Sequence, residues 1–267
     1  MDPGRVKLIT YSPTRTTQRV LTAIAEGLQA KTTIDLDLTM PDAATRLLPE
    51  TDEDLTLLGA PVYAGRIPAP AARRFRRLHG DGTPAVVIVV YGNRAYEDAL
   101  LELSDLAIKV GYVPVAAGAF VGEHSYATEV TPIAVGRPDE RDRAQAVAFG
   151  QVVGARLRRL NRYERLPTLH LPGQRPYRAG VQHRDAAPTT RLEMCTHCGI
   201  CADVCPVGGI SVNGDVHTDG QACTLCCACV KACPTGARVM LDEGVLRTAR
   251  WLASEHSERK EPELFLP

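Results

Sequence analysis

Val6-Lys-Leu-Ile-Thr-Tyr11, continuing into Ser12-Pro-Thr-Arg-Thr-Thr17, is the stretch on which the fold turns. Val6 to Tyr11 reads as a buried β-strand, and the hydroxyl-rich hexapeptide after it opens a helical pattern that runs to Ala30. A strand passing straight into a helix is the first half of a βαβ unit, and the same alternation continues outward. Further strands are expected at Thr33 to Leu38, Leu55 to Ala60, Ala85 to Tyr91 and Val113 to Phe120, with helices at Ala69 to His79, Ala95 to Val110 and Glu140 to Leu160. The run Ala85-Val-Val-Ile-Val-Val-Tyr91 is apolar throughout, as a strand covered by helices on both faces must be. Right-handed crossovers then give an α/β fold, a doubly wound five-stranded parallel sheet over residues 1–160.

At 267 residues with 45% hydrophobic content the chain exceeds the usual single domain, so a second one is expected. Thirty-one basic and 31 acidic residues cancel, which leaves no global field to hold nucleic acid or an anionic membrane. No segment approaches the ~18 apolar residues of a membrane span, and the N-terminus runs into the first strand without a cleavable apolar segment. A cytoplasmic protein with no membrane span is expected.

All nine cysteines lie between Cys195 and Cys233. A dense cluster of thiols in a reducing compartment points to metal ligation rather than disulfides. Cys195-Thr-His-Cys-Gly-Ile-Cys-Ala-Asp-Val-Cys-Pro206 and Cys223-Thr-Leu-Cys-Cys-Ala-Cys-Val-Lys-Ala-Cys-Pro234 repeat one pattern, C-x2-C-x2-C-x3-C-P. That is the bacterial iron–sulfur signature, in which the fourth cysteine ligates the other cluster. Cys195, Cys198, Cys201 and Cys233 then form one ligand set, and Cys223, Cys226, Cys229 and Cys205 the other. Structural zinc would leave the third cysteine of each run unexplained. Cys227, matched by Gly199 in the first repeat, reads as a small buried residue, and His197 as exposed. Residues 191–240 resemble bacterial two-cluster ferredoxins, small α+β domains, and the resemblance implies two 4Fe-4S clusters.

The Ser12 to Thr17 loop places hydroxyls and unpaired N–H groups at a helix N-terminus, where an anion is stabilised; simple capping is the alternative. It lacks the lysine of a nucleoside triphosphate loop, and no strand is followed by G-x-G-x-x-G. Pro61-Val-Tyr-Ala-Gly-Arg-Ile-Pro68 and Gly92-Asn-Arg-Ala-Tyr96 follow the third and fourth strands on the same sheet edge. Together the three loops resemble those of flavodoxins, with strand order 2-1-3-4-5. The resemblance implies FMN, its phosphate on Ser12, Thr14, Arg15, Thr16 and Thr17, its ring among Pro61, Val62, Tyr63, Ala64, Gly92, Asn93, Arg94 and Tyr96. Arg15 departs from the glycine common in that family; its side chain is expected to project outward and neutralise phosphate charge, the alternative being a clash with the loop turn.

Gly122-Glu-His-Ser-Tyr126 resembles a stretch of fused flavodoxin/ferredoxin proteins of anaerobic bacteria and archaea, and His124 reads as a surface-loop residue or as one near the flavin or the domain interface. Residues 161–190, with five arginines against two acids, form a basic linker expected to run along a surface, and its Leu171 to Tyr177 segment also matches the fused family. Residues 241–267 read as a helix, Glu243 to Glu255, and a docking tail with Trp251 as a contact. Arg73, Arg74, Arg76 and Arg77, and Arg156, Arg158, Arg159, Arg162 and Arg165, read as solvated faces or as a steering patch for an acidic redox partner. The resemblance implies an electron carrier that joins FMN and two clusters to a redox partner protein. Two alternatives stand beside it: an FMN-dependent reductase of a small organic substrate, with His124 and Tyr126 near the flavin, and a ferredoxin whose flavodoxin-like half is a flavin-free docking module.

Overall fold

The computed structural model describes residues 4–49, 52–159, 169–180 and 185–267. β1 (Arg5–Thr10), α1 (Thr16–Leu28), β2 (Thr32–Asp37), β3 (Leu55–Pro61), α2 (Ala69–Phe75), β4 (Pro84–Tyr91), α3 (Ala99–Lys109), β5 (Val113–Val121) and α4 (Glu140–Arg159) build the first layered unit. The sheet order is β2-β1-β3-β4-β5, all parallel, so the chain reverses direction between β1 and β3 and leaves a crevice beyond their carboxyl ends. β3 and all of β4 after Pro84 are buried, as their continuous apolar runs require.

One face of the sheet packs Ile9, Leu58, Val87 and Val89 against Phe75 of α2 and Leu100 and Leu103 of α3. The other packs Leu8, Leu57, Val86 and Ile88 against Leu21 and Ile24 of α1 and Phe149 and Val153 of α4. α1 and α4 meet backbone to backbone. A Cβ on Gly27 would lie 2.0 Å from the Val147 carbonyl oxygen, and one on Gly150 would lie 2.1 Å from that of Ile24.

Past the basic linker, a small unit follows: β6 (Thr189–Thr190), α5 (Ile200–Asp203), the hairpin β7 (Ile210–Asn213) and β8 (Asp215–Thr218), α6 (Ala228–Lys231) and β9 (Arg238–Val239), paired with β6. The two short helices each follow a residue in the left-handed region, Gly199 (φ 81°) and Cys227 (φ 53°), so the sequence repeat is also a backbone repeat. α7 (Glu243–Glu255) begins where the Asp242 carboxylate accepts the Val245 N–H at 2.9 Å.

The tail then returns to the first unit. β10 (Glu263–Phe265) pairs antiparallel with β5 and covers that sheet edge, a sixth strand that the sequence pattern did not signal. No helix among the described residues is long and apolar enough to cross a membrane.

The described part of the linker lies along α3. Asp98 accepts the N–H groups of Gln174 (2.9 Å) and Arg178 (2.7 Å), Asp105 accepts Arg175 Nε at 2.8 Å, and Arg66 stacks on Tyr177 at 4.7 Å. The charges of Arg175 and Arg178 are met by Asp105 of α3 and by Glu97 ahead of it; Arg162, Arg165 and Pro167 lie outside the described residues.

The expectation of a solvated arginine face on α2 is half corrected. Arg73 and Arg76 are exposed, but Arg74 is 5% exposed, with its guanidinium donating to the carbonyls of Leu38 (2.8 Å), Thr39 and Pro206 (2.6 Å). Arg77 donates to the carbonyls of Ala43 (2.6 Å) and Arg46 (2.7 Å). These two residues tie α2 to the chain beyond β2, and Arg74 ties it to the cysteine unit as well.

Candidate functional site

The crevice at the switch point opens into a cavity of about 550 Å³, within the range of small-molecule and cofactor clefts. Thr14 and Thr16, at the start of α1, line one end. Pro61 to Gly65 after β3, Val90 to Gly92 with Arg94 and Ala95 after β4, and Gly122 to Tyr126 after β5 form the walls. The remaining boundary comes from farther along the chain: Arg178 to Gly180 of the linker, Thr224 and Leu225 from inside the second cysteine repeat, and Val245, Thr248, Trp251 and Leu252 of α7. The cysteine unit therefore closes over the sheet's carboxyl edge.

Of the residues expected at the flavin, Thr14, Thr16, Pro61, Val62, Tyr63, Ala64, Gly92 and Arg94 line this cavity. Five do not. The Ser12 hydroxyl accepts the Gln18 N–H at 3.2 Å and so caps α1, Thr17 is fully buried against Gly59, and Arg15 projects into solvent, 2.7 Å from Gln18 Oε1. Asn93 turns to the tail, donating to the carbonyls of His256 (2.6 Å) and Glu258 (2.8 Å). Tyr96 packs on Tyr91 and donates its hydroxyl to Glu263 at 2.7 Å. The aromatic rings at the cavity are Tyr63, Tyr91, Tyr126 and Trp251.

Backbone strain marks the same loops. Non-glycine residues with positive φ are uncommon and cost energy, yet each of the three sheet-edge loops holds one: Arg15 (65°), Ala64 (49°) and Asn93 (66°). Arg15 adopts the left-handed conformation that glycine would take more cheaply, while its side chain points outward.

His124 is not the surface residue its loop position suggested. Its ring lies where a Cβ on Gly92 would fall, 2.2 Å from Cδ2, and Nδ1 accepts the Tyr126 N–H at 3.0 Å. That bond leaves the proton on Nε2. Burial drives its pKa down to about 4, helped by the positive charges of Lys231 and Arg94, so the ring is neutral near pH 7. Burial likewise pushes the Tyr63 phenol well up, and the neighbouring Cys226 thiol adds to the effect. The cavity wall is therefore uncharged at both places.

The cysteine loops are built alike. His197 and Leu225 occupy the left-handed region at equivalent places, φ 53° and 56°, and donate their N–H groups to Cys195 Sγ and Cys223 Sγ, each at 3.4 Å. Such amide donors favour thiolate. Cys205, Cys223, Cys226, Cys227 and Cys229 line one small cavity, so the fourth cysteine of the first repeat stands with those of the second. Cys226 and Cys229 are buried; at the far end Cys198 is exposed. Burial raises the Cys226 thiol to about 12, a penalty that binding of a metal to the thiolate would remove. Cys227 is 3% exposed and His197 exposed. Among the described residues no three His, Cys, Asp or Glu side chains converge on a single ion.

The contribution of α7 and Leu225 to the cavity was not readable from the sequence, because nothing local ties an amphipathic helix to a sheet edge so far away in the chain. Only the position of Gly122 to Tyr126 after a fifth parallel strand carried a signal.

A family model described as a 4Fe-4S binding domain matches residues 188–211. No curated protein matches the sequence. Among solved structures, a flavodoxin from the domain Archaea is 11% identical with a TM-score of 0.42, the match covering 58% of this chain and 99% of that one. Rubredoxin oxygen:oxidoreductase from Desulfovibrio gigas is 13% identical with a TM-score of 0.41, over 58% of this chain and 36% of that one. Likeness at this level says nothing about ligand or activity. One polypeptide thus joins a parallel sheet of flavodoxin-like strand order, 2-1-3-4-5, to a segment similar to 4Fe-4S binding domains.

Proposed function

We propose that the protein is an electron carrier that holds FMN in the sheet-edge cavity and two 4Fe-4S clusters in the cysteine unit, and exchanges electrons with a redox partner protein. FMN takes or gives electrons singly or in pairs, whereas each cluster handles one, so the fusion converts between the two kinds of couple.

The observation that carries this reading is the shared wall. Thr224 and Leu225, which lie between two cysteines of the second repeat, line the same cavity as Thr14, Thr16, Tyr63 and Gly92. Residues expected to hold the two kinds of cofactor thus meet at one place, with no spacer domain between.

Each part of the chain has a role in this reading. The α1 N-terminus, with Thr14 and Thr16, receives the phosphate, because its first N–H groups have no carbonyl partner within the helix. The Pro61 to Ala64 and Gly92 to Arg94 loops take the ring. Tyr63 and neutral His124 keep charge away from it and exclude water. Cys205, Cys223, Cys226 and Cys229 ligate the inner cluster, and Cys195, Cys198, Cys201 and Cys233 the outer one, where exposed Cys198 marks the approach of the partner. The division into residues 1–160, 161–190, 191–240 and 241–267 follows these roles.

Cofactor analysis of protein purified without oxygen tests the proposal. One FMN and about eight irons per chain are expected, and Cys205→Ala should lose about half the iron while keeping the flavin. Absence of flavin in deproteinised extract together with no binding of added FMN would leave only a flavin-free docking module. Stoichiometric zinc with no iron would end the iron–sulfur assignment.

A further inference from the structure

Arg238, the first residue of β9, is 3% exposed. Its guanidinium donates to the Thr190 hydroxyl at 2.7 Å, to the Thr218 hydroxyl at 2.9 Å, and to Cys229 Sγ at 3.8 Å. Its positive charge also reaches Cys201, a cysteine of the other expected set. Arg238 therefore contacts a cysteine of the second repeat directly and reaches the outer set only through space. Among the described residues no carboxylate forms an ion pair with it, and its buried Nε has no partner.

A buried cation held by two neutral hydroxyls is costly unless negative charge is supplied nearby. Arg74 repeats the arrangement: it is 5% exposed, stacked over Tyr11 at 5.4 Å, and bonded only to carbonyls, one of them that of Pro206 next to Cys205. Four thiolates around an iron–sulfur core carry net negative charge, and Cys205 and Cys229 belong to the same expected set. The two arginines thus stand beside the inner ligand set. Neither guanidinium bonds a cysteine of the outer set.

We propose that Arg238, supported by Arg74, is the counter-charge of the cluster ligated by Cys205, Cys223, Cys226 and Cys229, and makes it the higher-potential cluster of the pair. This rests on the two-cluster reading above. A fixed positive charge in a low-dielectric site favours the reduced, more negative state, and its effect falls with distance. The electron of a singly reduced pair then resides on the inner cluster, next to the cavity wall made by Leu225. The role is one of positioning and electrostatics, since Arg238 acts through the cysteine sulfurs.

The test is a redox titration of anaerobically purified holoprotein, followed by electron paramagnetic resonance. In the parent protein, Cys205→Ala should abolish the higher-potential cluster signal. Arg238→Met should shift that signal to lower potential and Arg238→Lys should restore most of the shift, while FMN content stays at the parent level. Arg74→Met should move it in the same direction, and carries the test if Arg238→Met fails to assemble. The proposal is overturned if Cys205→Ala removes the lower-potential signal, or if the neutral variants that assemble leave both potentials in place. A parent protein that binds fewer than two clusters would instead overturn the reading beneath it, a result visible in the iron count before any titration.

Discussion

At the scale of single residues, His124 is the one whose environment makes a measurable demand on pH. Its folded pKa of about 4 lies below the ordinary value of 6.5. Between those values the unfolded chain binds more protons than the folded one, so stability rises with pH across the window and is fully present above 6.5. The loss on acidification to pH 4 is on the order of 3 kcal/mol. His124→Gln, which cannot take up a proton, should flatten that limb, measured as urea unfolding midpoints from pH 4.5 to 7.5. An unchanged pH slope in the variant would show that other groups dominate acid destabilisation.

The same scale shows where sequence reading reached its limit. Spacing after β4 brought Tyr96 near the sheet edge but could not say which way its ring turned. Glu97, with φ 47°, redirects the chain there, and the Tyr96 hydroxyl goes to Glu263, a residue of the tail. Likewise, Gly92 was expected as a loop residue; its lack of a side chain is what admits the His124 ring.

At the scale of elements, the five parallel strands were legible because a strand buried on both faces must be apolar almost throughout, and Ala85 to Tyr91 is. The cysteine loops were legible because ligation fixes spacing. The arginines of α2 were not, since helical period distinguishes faces, whereas the carbonyls that Arg74 and Arg77 satisfy lie in loops remote in sequence. Nor was the contact of α1 with α4, which depends on two glycines 123 positions apart in the chain, Gly27 and Gly150. Gly150→Ala would drive a methyl to 2.1 Å from the Ile24 carbonyl oxygen. Helix propensity alone favours alanine by about 1 kcal/mol, but overpacking at a backbone contact costs about 1–3 kcal/mol. Net destabilisation, read as a lower urea midpoint with unchanged slope, is the expected outcome; stabilisation would mean that the helices can separate freely.

At the scale of the whole molecule, the tail decides how the cysteine unit sits over the sheet-edge loops. After α7 the chain is held by the Asn93 side chain on the carbonyls of His256 and Glu258, by Arg259 on Asp139 at 2.6 Å, by Gln145 on Glu261 at 2.9 Å, by Tyr96 on Glu263, and by β10 on β5. Asn93 and Tyr96, expected at the flavin, instead hold the segment that keeps the lid of the cavity in place. Each net hydrogen bond is worth about 1 kcal/mol, so deleting residues 258–267 should cost a few kcal/mol and lower Tm by roughly 5–10 °C in a chain of this size. None of the eight expected ligands is removed, and their loops keep the amide donors of His197 and Leu225. The truncated protein should therefore keep its iron but bind FMN at least tenfold more weakly, because α7 and Leu225 are no longer held against the cavity. Iron analysis and a fluorescence titration with FMN separate the two effects. Loss of iron in step with flavin would show that the tail supports the cysteine unit itself, and unchanged FMN affinity would show that the interface closes without it.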